Sequence, residues 1–225
     1  MLMLRFELHV HSNYSKDGMS TVEDILRAAA AKGLDGVAIT DHDTTAGGKY
    51  ALSVVGRVAP GLIVIPGEEV STREGHLIVL GITSDIPKGM PVEDTIKEAR
   101  KLGGLVIVPH PYNRPRHGMA IPDGADAAEV YNSRYIFGLH NRIALRRARA
   151  RHLPEVAGSD AHQASLVGTA ITLIQSEKNS RAVLDAIRQG KTSMDVRKTP
   201  LSVYAYQMAN GRAKKISAFF IKKGK

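Results

Sequence analysis

The chain has no cysteine and no tryptophan, and aromatic residues make up only 5% of its 225 positions. Without thiols, disulfides and thiolate-held zinc or iron–sulfur sites are excluded, and imidazole and carboxylate remain as the strong metal ligands. No apolar stretch approaches the roughly 18 residues that a membrane span requires. The opening Met1-Leu2-Met3-Leu4-Arg5 is too short for a secretory core, so a cytoplasmic protein with no membrane partner is expected. A GxSxG nucleophile elbow and a Walker-type glycine loop are also missing, which leaves serine hydrolase and nucleoside-triphosphatase chemistry without support. Acidic residues are the minority: 31 Lys and Arg against 22 Asp and Glu give a net charge of +9. Such a field favours anionic ligands without choosing among phosphate esters, nucleic acid and lipid headgroups.

Part of the excess charge lies in Arg142 to Arg151, where Arg146, Arg147, Arg149 and Arg151 crowd one predicted helix. Another part lies in Arg212, Lys214, Lys215, Lys222, Lys223 and Lys225. A solvated helix face and a basic tail account for both, because charge runs alone are weak evidence for nucleic-acid binding. The length suits one full-sized domain with a substantial core.

Short β-branched runs alternate with helical patterns, the signature of parallel strands joined by crossover helices. Strands are expected at Arg5–Val10, Gly36–Thr40, Leu62–Ile65, Leu77–Leu80, Leu105–Val108, Ala127–Tyr131, Glu155–Ala157 and Thr169–Ile174. Ser20 with Glu23 makes a capping-box pattern ahead of Val22, Ile25, Leu26, Ala29 and Ala30, and Gly33 fits the stop. Further helices are expected over Thr45–Arg57, after Pro91, through the basic run, and over Asn179–Gln189 before Gly190. A closed β/α barrel fits this rhythm, with an open doubly wound sheet as the other architecture.

Histidines and carboxylates sit where the apolar runs close: His9-Val10-His11, Thr40-Asp41-His42, Pro66-Gly67-Glu68-Glu69 followed by His76, Pro109-His110-Pro111, and Ser159-Asp160-Ala161-His162. On a strand, His9 and His11 point to one face. A lone histidine is more often a hydrogen-bonded core residue than a ligand. Repetition at five strand ends reverses this, since burying so many ionisable groups together is costly without a cation. A metal-dependent hydrolase is the chemistry this pattern favours.

These segments resemble the motifs of the polymerase and histidinol phosphatase, or PHP, superfamily of metal-dependent phosphoesterases. Leu8-His9-Val10-His11-Ser12 is similar to its first motif, Ile39-Thr40-Asp41-His42-Asp43 to its second, Pro109-His110-Pro111 to its third and Gly158-Ser159-Asp160-Ala161-His162 to its fourth. The resemblance implies a distorted (β/α)7 barrel of the α/β class over residues 1–200, followed by a basic segment 201–225. It also implies two or three divalent ions: manganese, zinc or iron. His9, His11, Glu69 and Asp160 would hold the first, Glu69 would bridge to a second on His76 and His110, and Asp17, His42 and His162 would hold the third. Glu68 is the alternative to Glu69. Asp41 is open between orienting an imidazole and capping the next helix.

The same resemblance makes Asp160, His162, Glu69 and Arg114 the catalytic set, acting on a small anionic phosphate ester. Arg114, Arg116 and His117 follow His110 closely and are candidates for binding its phosphate, since guanidinium matches phosphate through paired hydrogen bonds. Asn132, Arg134 and Tyr135 are candidates to line the pocket. The run Ile39 to Gly47 resembles the small family members that act on nucleotides or short oligonucleotides. A histidinol-phosphatase-like phosphomonoesterase and a nucleic-acid-binding accessory module are the alternatives.

Overall fold

A computed structural model describes residues 2–113, 117–134 and 138–196. In these residues nine strands form one sheet curled into a nearly closed barrel: β1 (Leu2–Glu7), β2 (Gly36–His42), β3 (Ile63–Ser71), β4 (His76–Leu80), β5 (Leu105–Val108), β6 (Ala127–Asn132), β7 (Glu155–Gly158), β8 (Ala170–Ser176) and β9 (Thr192–Val196). Their spatial order is β7-β6-β5-β4-β3-β2-β1-β8-β9. Among the described residues five α-helices accompany them: α1 (Val22–Ala31), α2 (Ala46–Val58), α3 (Val92–Lys101), α4 (Leu139–Arg149) and α5 (Ser180–Arg188). No helix among the described residues is long and apolar enough to cross a membrane.

The Ile- and Val-rich runs become strands buried on both faces, and their alternation sorts side chains between the barrel interior and the outer packing against helices. Ile78, Leu80, Leu105 and Ile107 join Leu4, Phe6 and Ile65 in the barrel interior. Leu77, Val79, Val106 and Val108 pack outward with Val92, Ile96 and Ala99 of α3 and Ala144 and Ala148 of α4. The interior cluster also takes Val183, Ala186 and Ile187 from α5.

Not every strand is parallel, as the alternating rhythm suggests. β4 runs antiparallel to both β3 and β5, and β8 is antiparallel to β1 and β9. Only four residues separate β3 from β4, too few for a crossover, so a hairpin is the sole connection available. The strand β9 lies outside the sequence expectation, because Thr-Ser-Met-Asp-Val carries little apolar signal. At the barrel seam, hydroxyls replace a backbone ladder: Thr172 Oγ1 accepts from Ala157 N and donates to Ala157 O, both at 2.9 Å, and Thr192 Oγ1 donates to Glu155 O at 2.8 Å.

The helix start at Ser20 is displaced by one residue. Thr21 caps α1 by accepting from Asp24 N, whereas Ser20 Oγ accepts from Ala164 N at 2.9 Å and ties the helix to the segment after His162. Gly33, Gly103 and Gly190 follow helices at φ of +66°, +76° and +66°, as terminating glycines do.

Candidate metal centre

The segment after β1 is held on both sides. Val10 N donates to Thr40 Oγ1 at 3.1 Å, and Thr40 N donates to Val10 O at 2.8 Å. On the other side His11 N donates to Ala161 O at 2.8 Å and Ala161 N to His9 O at 3.2 Å. The ladder proper ends at Glu7, but this clamp keeps the extended backbone through His11. His9 and His11 therefore turn the same way, with Nε2 atoms 3.1 Å apart.

Glu69 lies at the centre. Its Oε1 is 2.9 Å from both His76 Nδ1 and His110 Nε2. Its Oε2 is 3.2 Å from His9 Nε2, 3.1 Å from His11 Nε2 and 3.4 Å from His42 Nδ1. Asp160 Oδ1 approaches the same group, 3.8 Å from His9 Nε2 and 3.6 Å from His11 Nε2. Beyond His42, Asp17 Oδ2 is 3.5 Å from His42 Nε2 and 3.0 Å from His162 Nε2, while the buried Asp17 Oδ1 has no partner.

Four sets of donor atoms are close enough to share an ion: His11, Asp17, His42 and His162; His9, His110 and Asp160; His9, His11 and Glu69; and His42, Glu69 and His76. Together they contain all nine expected ligands and no other described residue. His110 and Asp160 approach each other through His9, so the first two expected ion sites share a border rather than standing apart. His110 and Asp160 also hold positive φ, 33° and 51°, an unfavourable backbone that a packed site must stabilise.

Protonation equilibria report the crowding. Burial would raise the Glu69 carboxyl, but His9 and His42 hold it well below its usual range. Burial likewise opposes the depression of Asp17, which hydrogen bonds from His162 and His42 nevertheless bring far down. His42 moves the other way: burial would lower it, yet Glu69 and Asp17 bring it up to about 9. Burial, with His162 close by, pushes His11 down to about 3. Neighbouring imidazoles thus differ in their readiness to carry a proton, an arrangement in which a fixed cation satisfies the carboxylates more simply than protons do. The donor set, all imidazole nitrogen and carboxylate oxygen, suits divalent transition metals.

Glu68 faces away from this centre, donating nothing to it; its Oε1 accepts from Ile86 N at 2.7 Å. Asp41 fits neither expectation made for it. Its Oδ1 accepts from Ser12 N at 2.6 Å and its Oδ2 from Ser12 Oγ at 2.7 Å, so it fastens the loop after His11 instead of an imidazole or a helix end. His117 stacks on His76, ring centroids 5.0 Å apart. Arg114, Arg116 and Tyr135 lie outside the described residues, as does the segment 201–225.

Two neighbours are prominent in the structure. Arg134 Nη1 donates to Asp160 Oδ1 at 2.9 Å and lies 3.2 Å from His162 Nδ1, while its buried Nε has no partner. Glu129, absent from the sequence expectation, contacts His9 Nδ1 at 2.9 Å. Its signal was limited to one carboxylate within the apolar run Ala127–Tyr131. A cleft of about 870 Å³ opens beside Asp17, His42 and His76, lined further out by Lys16, Arg73 and Met119.

Comparison with known proteins gives consistent matches. A family described as the PHP domain matches residues 7–121, and one described as PHP-associated matches residues 138–192. The uncharacterised protein MJ1587 of Methanocaldococcus jannaschii is 36% identical over 167 residues, 68% of this chain and 96% of that one. Shorter matches, each 40% identical over 36% of this chain, are to a phosphoribosyl 1,2-cyclic phosphate 1,2-diphosphodiesterase of Eggerthella lenta and the 5'-3' exoribonuclease Rnm of Salmonella typhimurium. They cover 32% and 28% of those chains. The fold matches, at a TM-score of 0.74 and 19% identity, a two-domain Bacteroides vulgatus protein containing a predicted PHP-like metal-dependent phosphoesterase, over 87% of this chain and 65% of that one.

Proposed function

Since the chain belongs to the PHP domain family and so to the metal-dependent phosphoester hydrolases, we propose that its substrate is a nucleotide or short oligonucleotide. The observation that carries the chemistry is the division of Glu69 between two sets of imidazoles, one on each carboxylate oxygen. That is the disposition of a bridging ligand. His9, His11, Glu69 and Asp160 would hold one ion, His76 and His110 with Glu69 a second, and Asp17, His42 and His162 a third. Manganese, zinc and iron all suit imidazole and carboxylate. When bound, such ions supply Lewis acidity at phosphorus and activate water for in-line displacement.

The chain's own residues would do the rest. The Arg134 guanidinium spends Nη1 on Asp160 and leaves a buried Nε–H unpaired, so a phosphoryl oxygen in reach would complete it. Arg114 and Arg116, following His110 in the chain, remain proposed phosphate contacts, and His117 lies on the cleft wall. The cleft is larger than a phosphoryl group needs, and Lys16, Arg73 and Met119 offer both charge and apolar surface to a nucleoside leaving group. The names of the Eggerthella and Salmonella relatives support this substrate class loosely, through ribose-borne phosphate and RNA.

A histidinol-phosphatase-like activity uses the same centre and differs in what fills the cleft. A nucleic-acid-binding module is motivated by the arginines of α4 and the basic segment 201–225, and such a module has no need of nine converging ligands. The test is metal analysis of the purified protein, followed by turnover of nucleotides, short oligonucleotides and histidinol phosphate with manganese, zinc or iron restored. Nucleotide or oligonucleotide turnover is expected; selective turnover of histidinol phosphate would replace the substrate, and metal content near zero after reconstitution would remove the reading.

A further inference from the structure

We propose that Glu129, braced by Asn132, is the positioning residue of the centre: it fixes which nitrogen of His9 faces the ions and sets the place of His110. This rests on the metal-centre reading above. Glu129 Oε1 lies 2.9 Å from His9 Nδ1, and because a carboxylate accepts, Nδ1 carries a proton, which makes Nε2, the nitrogen facing Glu69 and His11, the one that would give its lone pair to an ion. Glu129 Oε2 accepts from the backbone N–H of His110 at 2.7 Å and from Asn132 Nδ2 at 2.9 Å. One buried carboxylate thus sets the orientation of a ligand after β1 and the backbone of a ligand after β5.

Asn132 extends the brace. Its Oδ1 accepts from Arg134 N at 2.9 Å, so the same amide that steadies Glu129 also fixes the residue bonded to Asp160. Asn141 of α4 closes the group, its Oδ1 accepting from Asn132 N at 3.1 Å and its Nδ2 donating to Asn132 O at 3.2 Å. The pair further requires a glycine next to it: a Cβ on Gly158 would collide with Glu129 Oε1 and stand 2.7 Å from His9 Cβ. The hydrogen bonds of Glu129 reach the centre at His9 Nδ1 and at the His110 backbone, so its effect passes through these two ligands. Outer partners of this kind commonly alter metal affinity about 10–100-fold.

The test compares wild type, Glu129→Ala, Glu129→Asp and Gly158→Ala by zinc competition titration and by imidazole nitrogen-15 spectra of metal-free and zinc-loaded protein. Wild type is expected to show a His9 Nδ1–H proton protected from exchange in both states. Glu129→Ala and Gly158→Ala should lose that signal and bind zinc about tenfold or more weakly, and Glu129→Asp should recover part of the affinity. A wild-type His9 protonated on Nε2 alone would overturn the proposal, even if a variant fails to fold. So would a folded Glu129→Ala that keeps zinc affinity within about twofold. Failure of wild type to bind any zinc, manganese or iron would instead refute the metal reading, while the His9 proton would still decide the positioning role.

Discussion

Glu68 and Glu69 are neighbours in the chain whose carboxylates face opposite sides of β3: Glu69 meets five imidazoles, whereas Glu68 accepts from Ile86 N and leaves Oε2 unpaired. The strand's period of two creates the contrast. Glu69→Gln is therefore expected to lower turnover by about a hundredfold or more, because several kcal/mol of charge stabilisation passes through it. Glu68→Gln should stay within severalfold of wild type. Steady-state rates on one phosphate ester, with metal content measured alongside, decide the ranking, and the reverse order would reassign the ligand to Glu68.

Glu68 also gives a pH prediction. Burial first, and then the charges of Asp85 and Asp43, push its carboxyl up to about 7 from the usual 4.5, against the bond from Ile86 N. The folded state thus holds a proton that the unfolded chain releases earlier. The stability associated with this group is fully present below the unfolded value and is lost as pH rises through about 7. Gln stays neutral and keeps an oxygen for Ile86 N–H. Denaturant unfolding of metal-free protein should show Glu68→Gln gaining on wild type as pH rises between those values, then running parallel above. A difference that is constant across the range would mean the carboxyl titrates normally.

The ligand positions were legible because they repeat at strand ends, where periodicity and chemistry agree. The barrel was legible for a similar reason: runs such as Leu105–Val108 have one use, as strands buried on both faces. What remained hidden depends on contacts distant in sequence. Glu129 reads as an interruption of a strand until His9, 120 residues away, is placed against it. Asp41 lies beside His42 yet serves Ser12, because alternation along β2 sends adjacent side chains to different sides. The direction of β4 turned on loop length, and β9 on pairing with β8, which stabilises a segment whose own residues promise little.

Gly47 gives a prediction at a distance from the ligands. It begins α2 just where Asp41 reaches Ser12, and a Cβ there would overlap Asp41 Oδ2 and stand 2.8 Å from Ser12 Oγ. Gly47→Ala should displace the Asp41–Ser12 pair and with it the loop carrying Asp17. Overpacking of this kind costs about 1–3 kcal/mol. A lower melting temperature together with loss of bound ion from the His42, His162 and Asp17 group is expected. Wild-type melting and full metal content would show that α2 yields and that Asp41 does not govern the loop.

The excess positive charge gives the last prediction. On α4, Arg149 is paired with Glu155 at 2.7 Å, and just beyond it Arg151 is paired with Asp123 at 2.7 Å, so part of the basic run is neutralised within the domain. What remains for an outside polyanion is Arg142, Arg146 and Arg147 with the cations beyond residue 210. If these serve a long nucleic acid, affinity must fall steeply with salt, since each neutralised phosphate releases condensed counterion, and truncation after Asn210 must flatten the slope. If the substrate is a nucleotide or short oligonucleotide gripped at the centre, truncation should leave kcat and KM within about twofold, and Arg114→Ala or Arg134→Ala should raise KM by about tenfold or more, as loss of a charged hydrogen bond to phosphate does. The second pattern is expected, because the nine ligands of the constellation lie within residues 9–162. Tight, salt-sensitive RNA binding that disappears with the tail, in metal-loaded protein that hydrolyses no phosphate ester, would establish the binding module instead.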